Sequence, residues 1–116
     1  MTYEDKELLL KDLCCRLQYG VKISVNDNVE TLQGINVLDN VVEYGSFLSS
    51  DIEEVRPYLF PMTSMTVKQR DSYRFLTSSA HASPAGLIDF FHKNHIDYRG
   101  LISKGLAKDA TNLNIY

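Results

Sequence analysis

The side chains in this sequence that most readily bind metals or act as nucleophiles fall in two separate parts of the chain. Cys14 and Cys15 are neighbours near the N-terminus, and the three histidines follow in the second half as His81, His92 and His95. His92 and His95 are three residues apart, so on one helix they could share a metal ion. A zinc site needs three or four ligands, which makes the histidines weak metal candidates. The alternative is that they cap backbone carbonyls at a helix end.

Catalysis has no local motif in the chain. Cys15 could act as a nucleophile only if the fold placed it beside His81 or His95. The sequence has no glycine-rich phosphate loop, no nucleophile elbow and no carboxylate pair at catalytic spacing. We therefore predict no catalytic residue and no cofactor, and expect a protein that is not an enzyme. A small enzyme or metal-binding protein that uses Cys15 and the histidines is the third alternative.

The two cysteines also bear on the compartment. Adjacent residues cannot join distant segments of one chain by a disulfide, which is typical of a reducing compartment. The longest apolar run is Leu8–Leu10 and the N-terminus lacks the order of a secretory signal, so we predict a cytoplasmic protein without membrane contact.

Charge is distributed unevenly along the chain. Residues 1–65 carry five Lys/Arg and eleven Asp/Glu, or −6, whereas residues 66–116 carry seven Lys/Arg and four Asp/Glu, or +3. A nucleic-acid-associated regulator that uses the basic half is therefore one alternative, although the excess is smaller than a dedicated nucleic-acid binder usually has.

The elements that must position these residues begin with a helix. Thr2 and Asp5 form a capping pair, apolar residues then recur at helical spacing, and Gly20 ends the helix, which leaves Asp12 and Arg16 mainly on other faces. Residues 21–26, 29–38 and 41–47 have the alternation and turns of three strands, with a bulge at Gly34.

Helical spacing dominates after these strands. Asp51 caps a short helical turn, and Pro57 and Pro61 indicate a stiff connector. Further helices are predicted from Ser64 or Thr66 to about Ser78, from Ser83–Pro84, and over residues 98–106. The 116 residues therefore predict one α+β domain over residues 1–109, with residues 110–116 as a loosely held tail. Its fold is a small three-stranded antiparallel meander covered on one face by about four helices.

Three stretches together carry a family resemblance: KDLCCRLQYGVK at residues 11–22, IEEVRPYLFPMTSMT at 52–66, and HKNHIDYRGLISKGLA at 92–107. They resemble an uncharacterised family of short proteins from gut Bacteroidetes genomes and their prophages and other mobile elements, which has no known activity. Where that family has an acidic cluster after the second stretch, this chain has Val67–Arg70. The resemblance thus supports no particular surface charge at that place.

The leading hypothesis is a non-enzymatic protein-interaction module of a mobile element or its host. The segment from Asp97 to Ile102 is the most distinctive part of the resemblance, and the proline-braced connector is the second candidate contact. The predicted interaction surface consists of Asp97, Tyr98, Arg99, Arg56 and Tyr58. The partner is an unknown protein, and an exposed edge strand would also permit a homodimer.

Overall fold

The computed structural model describes residues 1–116 and shows an α+β chain with three α-helices and seven strands. The helices are α1 (Tyr3–Arg16), α2 (Val67–Thr77) and α3 (Pro84–Lys93). The strands are β1 (Lys22–Val25), β2 (Asn28–Asn36), β3 (Val41–Tyr44), β4 (Leu48–Asp51), β5 (Val55–Pro61), β6 (Ile96–Asp97) and β7 (Lys108–Asp109). No helix is both long enough and apolar enough to cross a membrane.

The sheet is mixed rather than a small meander. Its order is β4-β3-β2-β1-β5-β6, and β7 also pairs with β5. The pairings from β4 to β5 are antiparallel, whereas β6 and β7 run parallel to β5. The predicted three-stranded meander under about four helices was therefore wrong.

In the first half of the chain, a capping pair, a glycine and a bulge occur where the sequence predicts them. The Asp5 amide donates to Thr2 Oγ1 at 3.1 Å, which satisfies one free amide of the first turn of α1. Gly20 follows a short 3-10 turn with φ +66°, a left-handed conformation that glycine adopts without strain. The register of β2 against β3 shifts between Leu32 and Gly34, which confirms the bulge.

The proline-rich segment is not a connector but a strand inside the sheet. β5 pairs with β1 up to Pro57, and its pairing with β7 begins only at Tyr58. The missing amide hydrogen of Pro57 thus falls at the junction of two ladders, and Pro61 lies at the strand's end. The predicted stiff connector was therefore wrong, because both prolines are accommodated in a strand of the sheet.

The predicted helix over residues 98–106 is also absent, and turns take its place. Gly100 and Gly105 both have φ +74°, which a right-handed helix does not contain. The carboxylate of Asp97 accepts the amides of Leu101 and Ile102, each at 2.9 Å, so this side chain organises the turn.

The core lies between α1 and the sheet. Leu9 and Leu13 of α1 are fully buried, and Leu101 and Leu106 reach the same core from the turns near the C-terminus. The strands contribute a further seven buried side chains of the cluster: Ile23, Val25, Leu32, Val42, Tyr44, Val55 and Leu59. Burial of a leucine or isoleucine contributes about 1.5 to 3 kcal/mol, so this cluster is the main source of stability.

The C-terminal residues contact the sheet. Ala110 is buried, and its amide donates to the Leu59 carbonyl at 2.8 Å. The Tyr116 hydroxyl accepts from the Lys22 amide at 2.8 Å and donates to the Tyr58 carbonyl at 2.7 Å. Whether residues 110–116 are loosely held is a question of motion, so the domain boundary at residue 109 stays a prediction.

Candidate functional site

Two charged residues of α1 that were expected on its outer faces are instead fully buried. Asp12 accepts from Arg16 Nε at 2.8 Å with its Oδ2 atom and from Arg99 Nε at 3.1 Å with its Oδ1 atom. Arg16 Nη2 donates to the Ile96 carbonyl at 2.7 Å. We call Asp12, Arg16 and Arg99 the buried ion network. It joins α1 to the segment after β6, so its charges hold the fold together.

Aromatic rings cover the buried ion network. The Tyr98 ring centroid lies 5.6 Å from the Arg16 guanidinium and 4.9 Å from that of Arg99. Phe91 stacks on Tyr98 with centroids 5.0 Å apart, and the Tyr98 hydroxyl lies 2.7 Å from His92 Nε2. Burial raises the pKa of Tyr98. Burial lowers the pKa of His92, and the nearby Arg16 cation lowers it further. The hydrogen bond between Tyr98 and His92 joins the end of α3 to the segment after β6.

The residues of the predicted interaction surface make mainly internal contacts. Tyr98 and Arg99 belong to the layer just described, and Asp97 is buried beneath the turn that it organises. Arg56 donates to the carbonyls of Gly105, Glu53 and Val55. Tyr58 is buried in β5. Their contact with a partner stays a prediction, but these contacts assign each of them a role in folding.

The histidines have three different ring partners. His81 stacks on Phe75, His92 bonds to Tyr98, and His95 stacks on Tyr116 with centroids 3.8 Å apart. No group of three or more His, Cys, Asp or Glu side chains lies close enough to hold a metal ion.

The two thiols are neighbours on α1. Cys14 is exposed and Cys15 is half-buried. Partial desolvation, followed by the neighbouring Cys15, raises the pKa of Cys14, which lowers its thiolate fraction at neutral pH.

An open groove of about 890 Å³ runs between α2 and α3. Aromatic rings on its floor include Phe75, Phe90 and Tyr19, and α2 has no buried residue. Its charged lining has both signs in equal number, namely Lys68, Lys93, Asp71 and Asp89. The groove therefore has no charge preference that would select a partner.

The opposite end of the sheet has a free edge. β4 pairs only with β3, so its outer backbone groups have no strand partner in the chain. Edge strands are usually protected by lysine, proline or a bulge, yet β4 reads Leu-Ser-Ser-Asp and keeps regular register with β3. We call residues Phe47–Asp51 the β4 edge. It is the part of the sheet on which another strand could add.

Apolar side chains mark one end of the β4 edge. Phe47 is fully exposed and Leu48 is half-exposed. Both border a hollow of about 640 Å³ that Gln33, Glu43 and Ser49 also line. An apolar pair beside unpaired backbone groups and a hollow is the combination that strand-adding recognition sites use. Phe47 was predicted to lie in the third strand and β4 was not predicted, although Gly45-Ser46 is a turn signal two residues before Leu48.

The backbone of Phe47 is strained. Its φ is +66°, a region that a bulky residue rarely occupies and that costs about 1 to 2 kcal/mol. Because its ring is fully exposed, no burial within the chain offsets this strain. Such strain is usually retained where a side chain serves a function.

Replacement of Phe47 by asparagine should therefore leave the free energy of unfolding unchanged or raise it by up to about 1 kcal/mol, because asparagine tolerates this conformation. Urea titration measures the free energy of unfolding of this variant and of the wild type. Leu38→Asn is the control, since Leu38 is equally exposed in the β2–β3 turn but has no positive φ. A loss above about 1 kcal/mol in Phe47→Asn would show that the ring supports the fold.

Neither the models of protein families, nor the curated proteins, nor the solved structures contain a match to this chain.

Proposed function

We propose that the protein is a non-enzymatic protein-interaction module of a mobile element or its host, and that it binds a partner chain by strand addition at the β4 edge. The observation that carries the proposal is the strained, fully exposed Phe47 beside the free strand β4. An exposed edge strand is a template for another chain, and the backbone hydrogen bonds supply affinity whatever the partner's sequence.

The role of the other candidate residues supports this assignment. Arg99 binds Asp12 of α1, the Arg16 guanidinium lies over the Tyr98 ring, and Asp97 organises the turn that follows β6. The outer backbone groups of the β4 edge are free and its two large side chains, Phe47 and Leu48, are exposed, whereas Ser50 and Asp51 form hydrogen bonds within the chain. Side chains that do not serve folding are the ones available to a partner.

Site-specific photocrosslinking in host cells tests the proposal. A photoreactive residue at Ser49 should give one specific adduct, and the same residue at exposed Lys104 should not. Leu48→Lys should abolish the adduct, because a charge at a strand edge opposes pairing. Leu38→Asn should leave it intact. An adduct that persists in Leu48→Lys, or that forms equally from Lys104, would contradict binding at the β4 edge.

A further inference from the structure

We infer that the partner segment is an extended strand in which basic and apolar residues alternate. This inference rests on the proposed function, since it specifies what the β4 edge selects. The three strands β2, β3 and β4 form what we call the acidic wing. Residues 23–55, which contain the wing, have no Lys or Arg and seven acidic residues: Asp27, Glu30, Asp39, Glu43, Asp51, Glu53 and Glu54.

Two of these carboxylates border the apolar tip of β4. Glu30 Oε2 lies 3.5 Å from the position that a Cβ atom on Gly45 would occupy, and that glycine is in the turn before Leu48. Glu43 lines the hollow together with Phe47 and Leu48. None of the five ion pairs in the protein includes Glu30 or Glu43. Both charges are therefore left to an outside cation.

The register decides which partner residues meet which groups. Leu48 pairs with the buried Tyr44, so both point to the core face of the sheet. Ser49 pairs with Glu43, so both point to the other face. A strand added beside β4 would place one residue next to Leu48 and the following residue next to Ser49.

These two neighbours call for different chemistry. An apolar residue beside Leu48 would continue the row of Leu32, Tyr44 and Leu48 and remove the half-exposed leucine from water. A lysine or arginine on the other face could reach across the small Ser49 side chain to the exposed Glu43, whose carboxylate lies over Gly34 of β2 and would turn towards the cation. An acidic residue there would meet Glu43 and Asp51 and be repelled.

A second copy of this chain is a poorer occupant of the same edge. Pairing of β4 with β4 of another copy would bring two sets of Glu43 and Asp51 together without any intervening cation. Like charges across paired strands are destabilising, so the charge pattern favours a basic segment of another protein.

Nuclear magnetic resonance titration of the 116-residue chain with short capped peptides tests this inference. An alternating Lys-Val peptide should shift the amide signals of residues 47–51, with an affinity that falls as salt is added. An alternating Glu-Val peptide should give no shift, and a peptide of the same Lys and Val composition in two blocks should bind more weakly. The double variant Glu30→Gln, Glu43→Gln should weaken Lys-Val binding about threefold or more, whereas Glu4→Gln on α1 should not.

Each failure has a distinct meaning. Equal binding of Glu-Val and Lys-Val peptides at residues 47–51 would overturn the basic specificity and leave strand addition intact. Absence of any shift with Lys-Val peptide would also overturn it, while the Ser49 crosslink independently decides the proposed function. A dimer of the free protein that Leu48→Lys abolishes would identify a second copy as the occupant and contradict the inference.

Discussion

Replacement of Asp12 by alanine should lower the free energy of unfolding by about 3 to 5 kcal/mol. The substitution leaves Arg16 fully buried without its carboxylate partner and releases Arg99 from the same anion. A buried charge without a counter-ion is strongly destabilising, because the desolvation penalty persists after the attraction is gone. Urea unfolding followed by circular dichroism measures the loss.

The matched control removes an exposed ion pair. Asp71 and Arg74 on α2 lie 3.7 Å apart and are both largely exposed, so Asp71→Ala should cost less than about 0.5 kcal/mol. Asp12→Asn keeps the size of the side chain, so it should lose less stability than Asp12→Ala and more than Asp71→Ala, and it serves as the test if Asp12→Ala does not fold. A loss below about 1 kcal/mol in both Asp12 variants would show that the buried ion network does not hold the fold.

Acidification from pH 6.5 to pH 4 should remove about 1 to 2 kcal/mol of stability through His95, less than the full pKa difference implies, because solvent screens this partly exposed ring. Burial lowers the pKa of His95 to about 4, and the Arg16 and Lys22 cations act in the same direction. Its pKa in the unfolded chain is about 6.5, so the unfolded state binds the proton first as pH falls. The contribution of neutral His95 to stability is complete above pH 6.5 and is lost as pH falls towards about 4, the pKa of His95 in the folded chain.

The variant His95→Asn isolates this contribution. His95 has φ +57°, which asparagine tolerates, so the substitution removes the titrating group without new backbone strain. Its stability should fall less steeply between pH 6.5 and pH 4 than that of the wild type, measured as the difference between the two curves of unfolding free energy. Parallel curves would mean that His95 does not titrate in this range.

Local capping signals were sufficient to predict the helices and turns that they begin. Thr66 with Gln69 forms a reciprocal capping box at the start of α2, and the Ser83 side chain caps α3 with Pro84 at its first position. These signals lie within a few residues of each other, so a single sequence contains all of the information.

Pairings between distant segments were not predictable in the same way. β6 and β7 have two residues each, too few for an alternating pattern to indicate a strand. The spacing of Asp12 and Arg16, one helical turn apart, is apparent in the sequence. The bond from Arg99 to Asp12 joins residues 87 positions apart, and no local pattern indicates it. The spacing of Leu101 and Leu106 resembled a helix because both enter the core, but turns bring them there.

The β4 edge was not predicted because what distinguishes it is that its apolar side chains are exposed, and exposure cannot be read from the sequence pattern. Leu48 and Phe47 are apolar, so the pattern assigned such side chains to the interior. Only the position of β4 at the end of the sheet shows that they are exposed. Of the residues that the resemblance made conspicuous, Arg99 belongs to the buried ion network and Tyr98 packs against it.

The central claim is that folding and partner binding use different residues of this chain. The most direct test measures the free energy of unfolding and the yield of the Ser49 crosslink for the same two variants. We predict that Phe47→Asn keeps its stability and loses the crosslink, whereas Arg99→Ala loses stability and, under conditions where it is folded, keeps the crosslink. The reverse result, with the crosslink lost in folded Arg99→Ala and retained in Phe47→Asn, would contradict the account.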